Sequence, residues 1–329
     1  MANAFEGLYE GEKAIWLKAG SYEAALLPKY GGNLTAFRDA ARGYRFLHEP
    51  GAEEMERFKA RPTVWGIPVL FPPNRYEDGL FPWNGNVYRL PVNEEKTGNH
   101  LHGFFLNEEW KVDGFGETGR ESYAVIAQRV DKSHPLYKTF PHEFTLKIRY
   151  SLSEDGLAME VGVRNDGDQP MPCALGFHTS INAPFAPGST AEDYTVRMTI
   201  GKRVELNERM LPTGKLLELS EDEEKLRTSG ISPYFSPLDN HYTAEPQDGR
   251  NRMELTDHRL NVKLVYDAGT AYKFWMIYNA QAGGAFFCPE PQINMVNAPK
   301  APFPPEQIGI VSLAPGEVWQ ETSRIYAIG

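Results

Sequence analysis

Apolar and polar side chains alternate over most of the stretch from Phe144 to Val163. Successive side chains of a β-strand point to opposite faces, so alternation with a period of two predicts strands with one buried face. The turn sequence Ser153-Glu154-Asp155-Gly156 interrupts the pattern and predicts a hairpin. The apolar positions on the predicted buried face are Phe144, Leu146, Ile148, Tyr150, Leu152, Met159, Val161 and Val163.

Strand character recurs in other parts of the chain. Residues 260–266 repeat the alternation, and residues 271–278 form a short, aromatic-rich, apolar stretch. Because 25 prolines and 30 glycines are spread along the chain, many short strands must be joined by substantial loops. We therefore predict an all-β fold, a sandwich or a barrel. No repeat and no shift in composition marks a boundary, so residues 1–329 are predicted to form one domain.

Helical patterns are few and short. Ser220 and Glu223 have the spacing of a capping box, in which the two side chains bond the free amides of a first helical turn. This predicts a short helix that ends near Gly230, and residues 53–60 are predicted to form another.

The composition limits the partners and the compartment. The chain carries 34 Lys+Arg against 44 Asp+Glu, a net charge of −10, which argues against a nucleic-acid or anionic-membrane partner. Cys173 and Cys288 are the two cysteines, and neither belongs to a CxxC pair, so a structural zinc site or a disulfide framework is not expected. No window approaches the ~20 apolar residues of a membrane helix. We expect a cytoplasmic protein whose ligand is neutral or small.

Two polar clusters with catalytic chemistry lie in the first third of the chain. Asn74 and Arg75 follow an apolar stretch and a Pro-Pro bend, where a guanidinium can present paired donors to a ligand; a surface ion pair is the alternative. His100 and His102 are two positions apart, so on a strand they would share one face. Metal ligation, a role in sugar binding or proton transfer, and a structural role all remain open for this pair.

Two further clusters lie later in the chain. His178 stands between a strand-like stretch and a loop, with the alternative of a histidine bonded in the core. Glu290 stands between two prolines, after two phenylalanines and Cys288, where partial desolvation would raise its pKa toward the range of a general base. A fully solvated loop carboxylate is the alternative. The GxSxG, Walker, GxGxxG and HExxH motifs are missing, so the remaining groups suit proton transfer on a polar ligand such as a sugar.

Together and in order, these segments resemble the aldose 1-epimerases, the galactose mutarotase-like family. The resemblance covers most of the chain. It rests on Leu27-Pro28-Lys29-Tyr30-Gly31-Gly32, Asn74-Arg75-Tyr76, Leu101-His102-Gly103, the stretch from Tyr150 to Gly156 with Asn165, Gly176-Phe177-His178, Leu211-Pro212-Thr213-Gly214, Leu238-Asp239, Glu290-Pro291 and Leu313-Ala314-Pro315-Gly316-Glu317. Residues 66–72 are also similar to the branch that acts on hexose 6-phosphates.

The resemblance implies a large antiparallel β-sandwich, the galactose mutarotase-like supersandwich, and interconversion of the α and β anomers of a free sugar. It implies no metal and no organic cofactor. Glu290 matches the family's general base and His178 its general acid. With ordinary pKa values for both, we expect a bell-shaped pH dependence, its acid limb set by the carboxylate and its alkaline limb by the imidazole.

The resemblance also implies the sugar-binding residues. Arg75, His102 and Asp239 match the positions that hold the hydroxyls and the ring oxygen, and Asn74 and His100 are further candidates for substrate contact. The chain departs from the family after His102 and after His178, where Phe104-Phe105 and Thr179-Ser180-Ile181 stand, and we expect these residues to line the pocket.

Three alternatives and the oligomeric state stay open. A hexose-6-phosphate 1-epimerase needs cations at the phosphate end, for which Arg61, Lys96 and Lys300 are candidates. A non-catalytic carbohydrate-binding protein on the same scaffold is the second alternative, and a metal-dependent, cupin-like enzyme is the third. We expect a monomer or a homodimer.

Overall fold

A computed structural model describes residues 1–329, and most of its regular structure is β-strand. In chain order the strands are β1 (Asn3–Tyr9), β2 (Glu12–Ala19), β3 (Tyr22–Leu27), β4 (Asn33–Asp39), β5 (Tyr44–Arg45), β6 (Val69–Leu70), β7 (Arg75–Glu77), β8 (Leu80–Trp83), β9 (Asn86–Arg89), β10 (Asn99–Leu101), β11 (Lys111–Thr118), β12 (Glu121–Val130), β13 (Phe144–Ser153), β14 (Gly156–Asn165), β15 (Met171–Cys173), β16 (Gly176–Phe177), β17 (Ile181–Asn182), β18 (Tyr194–Met198), β19 (Ile200–Leu206), β20 (Pro212–Leu217), β21 (Asp239–Ala244), β22 (Arg252–Asp257), β23 (Val262–Asp267), β24 (Phe274–Tyr278), β25 (Phe286–Gln292), β26 (Val311–Leu313) and β27 (Val318–Ile328).

Both predicted helices are present and short. They are α1 (Met55–Ala60), preceded by a 3-10 turn at Ala52–Glu54, and α2 (Glu221–Arg227). The capping box at Ser220 forms as predicted, because the Ser220 hydroxyl accepts from the amide of Glu223 at 3.3 Å and the Glu223 carboxylate accepts from the amide of Ser220 at 2.8 Å. No helix of the chain combines the length and the apolarity that crossing a membrane requires.

Three large antiparallel sheets organise the strands. The first has the order β1-β2-β3-β4-β5, the second β11-β12-β13-β14-β27-β23-β22-β18, and the third β20-β19-β21-β24-β25-β16-β6 with β17 also paired to β25. The first sheet packs through β2 across β12 and β13 of the second. The second and third sheets face each other through aromatic side chains, and the ring centroids of Tyr266 and Trp275 lie 6.3 Å apart. The predicted antiparallel β-sandwich is therefore confirmed.

The predicted hairpin forms the centre of the second sheet. Its strands β13 and β14 pair with Tyr150 opposite Met159 and Ser153 opposite Gly156. Gly156 has a φ of +114°, and a Cβ on it would lie 2.5 Å from the carbonyl oxygen of Ile325, so the turn requires glycine. All of the predicted inward-facing side chains are buried in a core of 61 residues.

The other two predicted strands are shorter than the sequence indicated. β23 begins at Val262, because Asn261 has a left-handed backbone with φ of 54° and turns Leu260 into solvent. β24 begins at Phe274, and residues 271–273 belong to the preceding connection. Both strands keep their apolar faces on the core, so the error concerns their first residues only.

Candidate active site

Four neighbouring strands of the third sheet present polar side chains on one face. Met276 and Tyr278 of β24 are two positions apart and share a face. Glu290 of β25 pairs directly with Met276, and Asp239 of β21 pairs directly with Tyr278. His178 follows β16 on the far side of β25, and its amide donates to the carbonyl of Pro68 at 3.0 Å. The sheet thus aligns Asp239, Glu290 and His178 along one wall.

This wall borders a cleft of about 540 Å³, within the size range of small-molecule sites. Its lining comprises Arg57, Ala60, Arg61, Thr63, Val64, Trp65, Asn74, Arg75, Glu94, Leu101, His102, His178, Asp239, Met276, Tyr278 and Glu290. Six of the seven residues predicted from the sequence therefore meet here, although they come from points in the chain more than 200 positions apart.

His178 and Glu290 are in direct contact. The Nε2 atom of His178 lies 3.2 Å from Oε1 of Glu290, and their side chains are 6% and 2% exposed. The other polar atom of each group, Nδ1 of His178 and Oε2 of Glu290, is buried without a protein partner. Buried polar atoms normally have partners, so these two atoms leave hydrogen-bonding capacity at the base of the cleft.

Burial opposes charge on both members of this pair. It lowers the pKa of His178 to about 4, with the positive charges of Arg61 and Arg75 acting in the same direction. It raises the pKa of Glu290 well above the ordinary carboxylate value, and the negative charge of Asp239 raises it further while Arg75 lowers it. Desolvation is the dominant cause for both groups.

Arg75 is the centre of a polar cluster beside the pair. Its Nε atom donates to both carboxylate oxygens of Glu94 at 3.1 Å, its Nη2 to Oδ2 of Asp239 at 3.4 Å, and its Nη1 to Oδ1 of Asn74 at 3.3 Å. The alternative of a surface pair between Arg75 and its neighbours in sequence is therefore wrong. Burial raises the pKa of Asp239, and the charge of Arg75 opposes that rise.

Glu94 was not anticipated from the sequence. Its carboxylate accepts from Arg75, from the hydroxyl of Thr97 and, at 3.4 Å, from the side-chain amide of Asn99. These contacts hold the Nε edge of Arg75 and leave its terminal nitrogens directed toward Asn74 and Asp239. Nothing in the sequence around Glu94 resembles a motif, and only the path of the loop brings it to Arg75.

A tight turn places His102 in the cleft. The residue has φ of +69°, Asn74 has φ of +60°, and the amide of His102 donates to the carbonyl of Asn74 at 2.9 Å. Gly103 follows with φ of +77°, where a Cβ would lie 2.2 Å from the carbonyl oxygen of Phe71. Only glycine fits that approach. Burial lowers the pKa of His102 well below its ordinary value, with the charge of His178 acting in the same direction.

The structure corrects the interpretation of His100. The left-handed backbone of His102 ends β10 at Leu101, so His100 and His102 do not share a strand face. The His100 ring instead bonds the carbonyl of Pro91 through Nδ1 at 2.7 Å and accepts the amide of Gly103 on Nε2 at 3.1 Å. It supports the turn and does not line the cleft. No group of three or more His, Cys, Asp or Glu side chains is arranged to hold a metal.

The family departures after His102 and His178 lie in the core or pack against it and do not border the cleft, so the expectation that they line the pocket is wrong. Phe105 is 1% exposed and its ring stacks on Phe71 with centroids 6.0 Å apart. The hydroxyl of Thr179 donates to the Tyr266 hydroxyl at 3.3 Å. Trp65, Met276 and Tyr278 contribute the apolar and aromatic lining instead.

Both cysteines are free and buried. Burial raises the pKa of the Cys173 and Cys288 thiols, so both stay protonated and unreactive. The Cys288 sulfur lies 3.2 Å from the hydroxyl of Ser180, and Cys288 stands two positions before Glu290 on the same strand. Both therefore serve as small buried side chains.

Comparison with known proteins connects the chain to a family. The family model described as aldose 1-epimerase matches residues 13–326. A galactose mutarotase-like protein from Clostridium acetobutylicum has a similar solved structure, with a TM-score of 0.94 and 30% sequence identity over 99% of this chain and 98% of that one.

Two curated proteins are more distant relatives. The Escherichia coli (strain K12) protein YihR, described as uncharacterized, is 24% identical over 61% of this chain and 59% of its own length. Galactose mutarotase of Rattus norvegicus is 26% identical over 50% of this chain and 45% of its own length. The chain thus matches about half the length of these two relatives.

Proposed function

The chain belongs to the aldose 1-epimerase family, and from this premise we propose that it interconverts the α and β anomers of an aldohexose whose anomeric hydroxyl is free. Glu290 acts as the base and His178 as the acid. The contact between these two groups at the base of the cleft carries the proposal, because it brings a proton acceptor and a proton donor within 3.2 Å of each other.

Ring opening of a cyclic sugar moves two protons. The anomeric hydroxyl on C1 loses its proton to the Glu290 carboxylate, and the ring oxygen O5 gains a proton from the His178 imidazolium. Both oxygens are bonded to C1, so two groups in mutual contact reach both of them. Rotation about the C1–C2 bond then exposes the other face of the carbonyl, and the same groups run in reverse to close the ring. Each positioned group contributes about 10²–10⁴-fold to the rate.

The remaining polar groups of the cleft hold the sugar. The terminal nitrogens of Arg75, beside Asn74 and Asp239, donate hydrogen bonds to the sugar. The Asp239 carboxylate is 32% exposed and accepts hydrogen bonds from the sugar hydroxyls. The Nδ1 atom of His102 is buried without a partner, and the rings of His102 and His178 lie edge to face with centroids 5.4 Å apart. These contacts fix C1 and O5 against the catalytic pair, which is the condition for efficient proton transfer.

An anomerisation assay tests the proposal. Freshly dissolved α-glucose, α-galactose and glucose 6-phosphate are followed by polarimetry and by exchange between the anomeric NMR signals, with the spontaneous rate subtracted. We expect the protein to accelerate at least one of these sugars, with saturation kinetics. Saturable binding of all of them without acceleration would instead identify a carbohydrate-binding protein.

The pH dependence of kcat/KM is expected to differ from that of a carboxylate and an imidazole with ordinary pKa values. At pH values between the two pKa values of its members, the pair holds one proton in total. A second proton, which silences the base, is gained only near pH 4, because burial lowers the pKa of His178 to about 4. The shared proton leaves only well above the ordinary carboxylate range, because burial raises the pKa of Glu290.

The acid limb therefore belongs to the histidine and the alkaline limb to the carboxylate, the reverse of the assignment made from ordinary pKa values. Initial rates over a buffer series, corrected for the uncatalysed reaction at each pH, measure both limbs. An acid limb near pH 6.5, the ordinary pKa of histidine, would contradict a desolvated His178.

A further inference from the structure

Two arginines line the cleft without a carboxylate partner. Arg57 and Arg61 form no ion pair in the structure, whereas Arg75 is paired with both Glu94 and Asp239. Glu290 is engaged with His178. Arg75 thus faces two carboxylates, whereas Arg57 and Arg61 face none, so the cleft holds two unpaired guanidinium groups and one net positive charge.

Both arginines come from one short segment, and both line the cleft. Arg57 lies in the last turn of α1, and the amide of Arg61 donates to its carbonyl at 2.9 Å. The Arg57 guanidinium carbon lies 5.6 Å from the centroid of the Trp65 ring, and Nε of Arg61 donates to the Thr63 hydroxyl at 3.3 Å. These contacts occupy one face of the first guanidinium and one nitrogen of the second. The other donors are free for a ligand.

A neutral sugar does not require these groups. Its hydroxyls already have partners in Arg75, Asp239 and His102, and the unpaired guanidinium of Arg61 makes protonation of the histidine acid harder. Arg61 lowers the pKa of both His178 and His102. An anion between Arg57 and Arg61 would remove this penalty.

We infer that the substrate is an aldose with an anionic substituent on C6, which Arg57 and Arg61 bind through charge-assisted hydrogen bonds. Phosphate and carboxylate groups share the chemistry that a guanidinium fork recognises. The inference rests on the proposed function, which directs His178 at O5. C5 is bonded to O5 and carries C6, so the substituent extends from the His178 side of the ring.

The electrostatics agree with this orientation. Arg61 is among the charges that act on His178, whereas the charges that act on Glu290 are those of Asp239 and Arg75. Of the cations suggested by the sequence, Arg61 alone lines the cleft, because Lys300 pairs with Glu77 elsewhere and Lys96 does not reach it. Arg57 was not anticipated.

The test compares three probes that differ at C6: glucose, glucose 6-phosphate and glucuronate. Anomerisation rates and calorimetric binding are measured for the wild type, Arg57→Gln, Arg61→Gln and the double variant. Arg120→Gln is the matched control, an exposed arginine without a carboxylate partner in the turn between β11 and β12, outside the cleft. Both glutamine substitutions remove charge from exposed positions, so the fold is retained.

We expect the wild type to favour one or both anionic probes over glucose by at least about tenfold in kcat/KM and in affinity. The double variant should bring this ratio close to one, Arg120→Gln should leave it unchanged, and added salt should weaken it. The two anionic probes separate phosphate from carboxylate recognition.

Two results would overturn the inference while leaving the proposed function intact: glucose turned over as well as both anionic probes, or a preference that the double variant preserves. If no aldose is accelerated, the proposed function fails. Calorimetry then decides the binding claim separately, since preferential binding of an anionic probe supports it and equal or absent binding contradicts it.

Discussion

Replacing Glu290 with glutamine is expected to lower kcat for anomer interconversion by at least about a hundredfold. Glutamine keeps the shape and the hydrogen-bonding reach of the side chain but accepts no proton. Because Glu290 is 1% exposed and its burial opposes ionisation, loss of the carboxylate should not weaken the fold. Anomeric NMR exchange measures the rate, and thermal unfolding by circular dichroism checks that the variant is folded.

A matched control is available on the second sheet. Glu160 of β14 is exposed, forms no ion pair and lies far from the cleft, so Glu160→Gln should keep the wild-type kcat. If Glu290→Gln raised KM but preserved kcat, Glu290 would be a sugar-binding group and not the base.

Burial of the pair has a consequence for the direction of proton transfer. It favours the arrangement in which Glu290 is protonated and His178 is neutral, because both are then uncharged. In the proposed mechanism this is the arrangement reached after ring opening. The cyclic sugar meets the charged arrangement, so opening the ring neutralises two buried charges. Because the resting pair is neutral, ionising it before ring opening costs what this neutralisation returns, so burial drives the proton transfer itself but does not lower the overall barrier.

The strand that carries Glu290 shows where reasoning from sequence succeeded and where it failed. The flanking Pro289 and Pro291 lack amide donors and left a solvated loop as the alternative for Glu290, yet β25 is a buried strand inside the third sheet. It pairs with β24 over residues 288–292, but on its other side the partners are β17 at Phe287 and β16 at Gln292. Between Phe287 and Gln292 no strand pairs with this side of β25, so the amide donors that the two prolines lack are not needed there. His178 lies in this gap between β17 and β16.

The hairpin and the helix cap could be predicted from the sequence because each depends on residues that are close together in the chain. The 144–163 hairpin and the α2 cap follow from alternation and from a three-residue spacing. The contact of Arg75 with Glu94 spans 19 positions and that with Asp239 spans 164, so neither leaves a local pattern. The His100 prediction failed for a local reason, since it assumed that the strand continues through the left-handed His102.

Replacing His178 with asparagine is likewise expected to lower kcat by at least about a hundredfold. Asparagine can still donate a hydrogen bond to Glu290 but cannot carry the proton that O5 receives. The acid limb near pH 4 should also disappear, because it belongs to the histidine. A residue that only positions Glu290 would leave that limb in place, so the pH profile separates the two roles. His258→Asn, an exposed substitution outside the cleft, is the control.

A double variant with Glu290→Gln and His178→Asn tests whether the two groups act together. If Glu290 and His178 act in one proton relay, the double variant should be scarcely slower than either single variant, because removal of one member already stops the relay. Independent contributions would instead multiply, and the double variant would lose about the square of the single loss. Multiplicative loss would show that the 3.2 Å contact is a structural bond between two groups that act separately on the sugar.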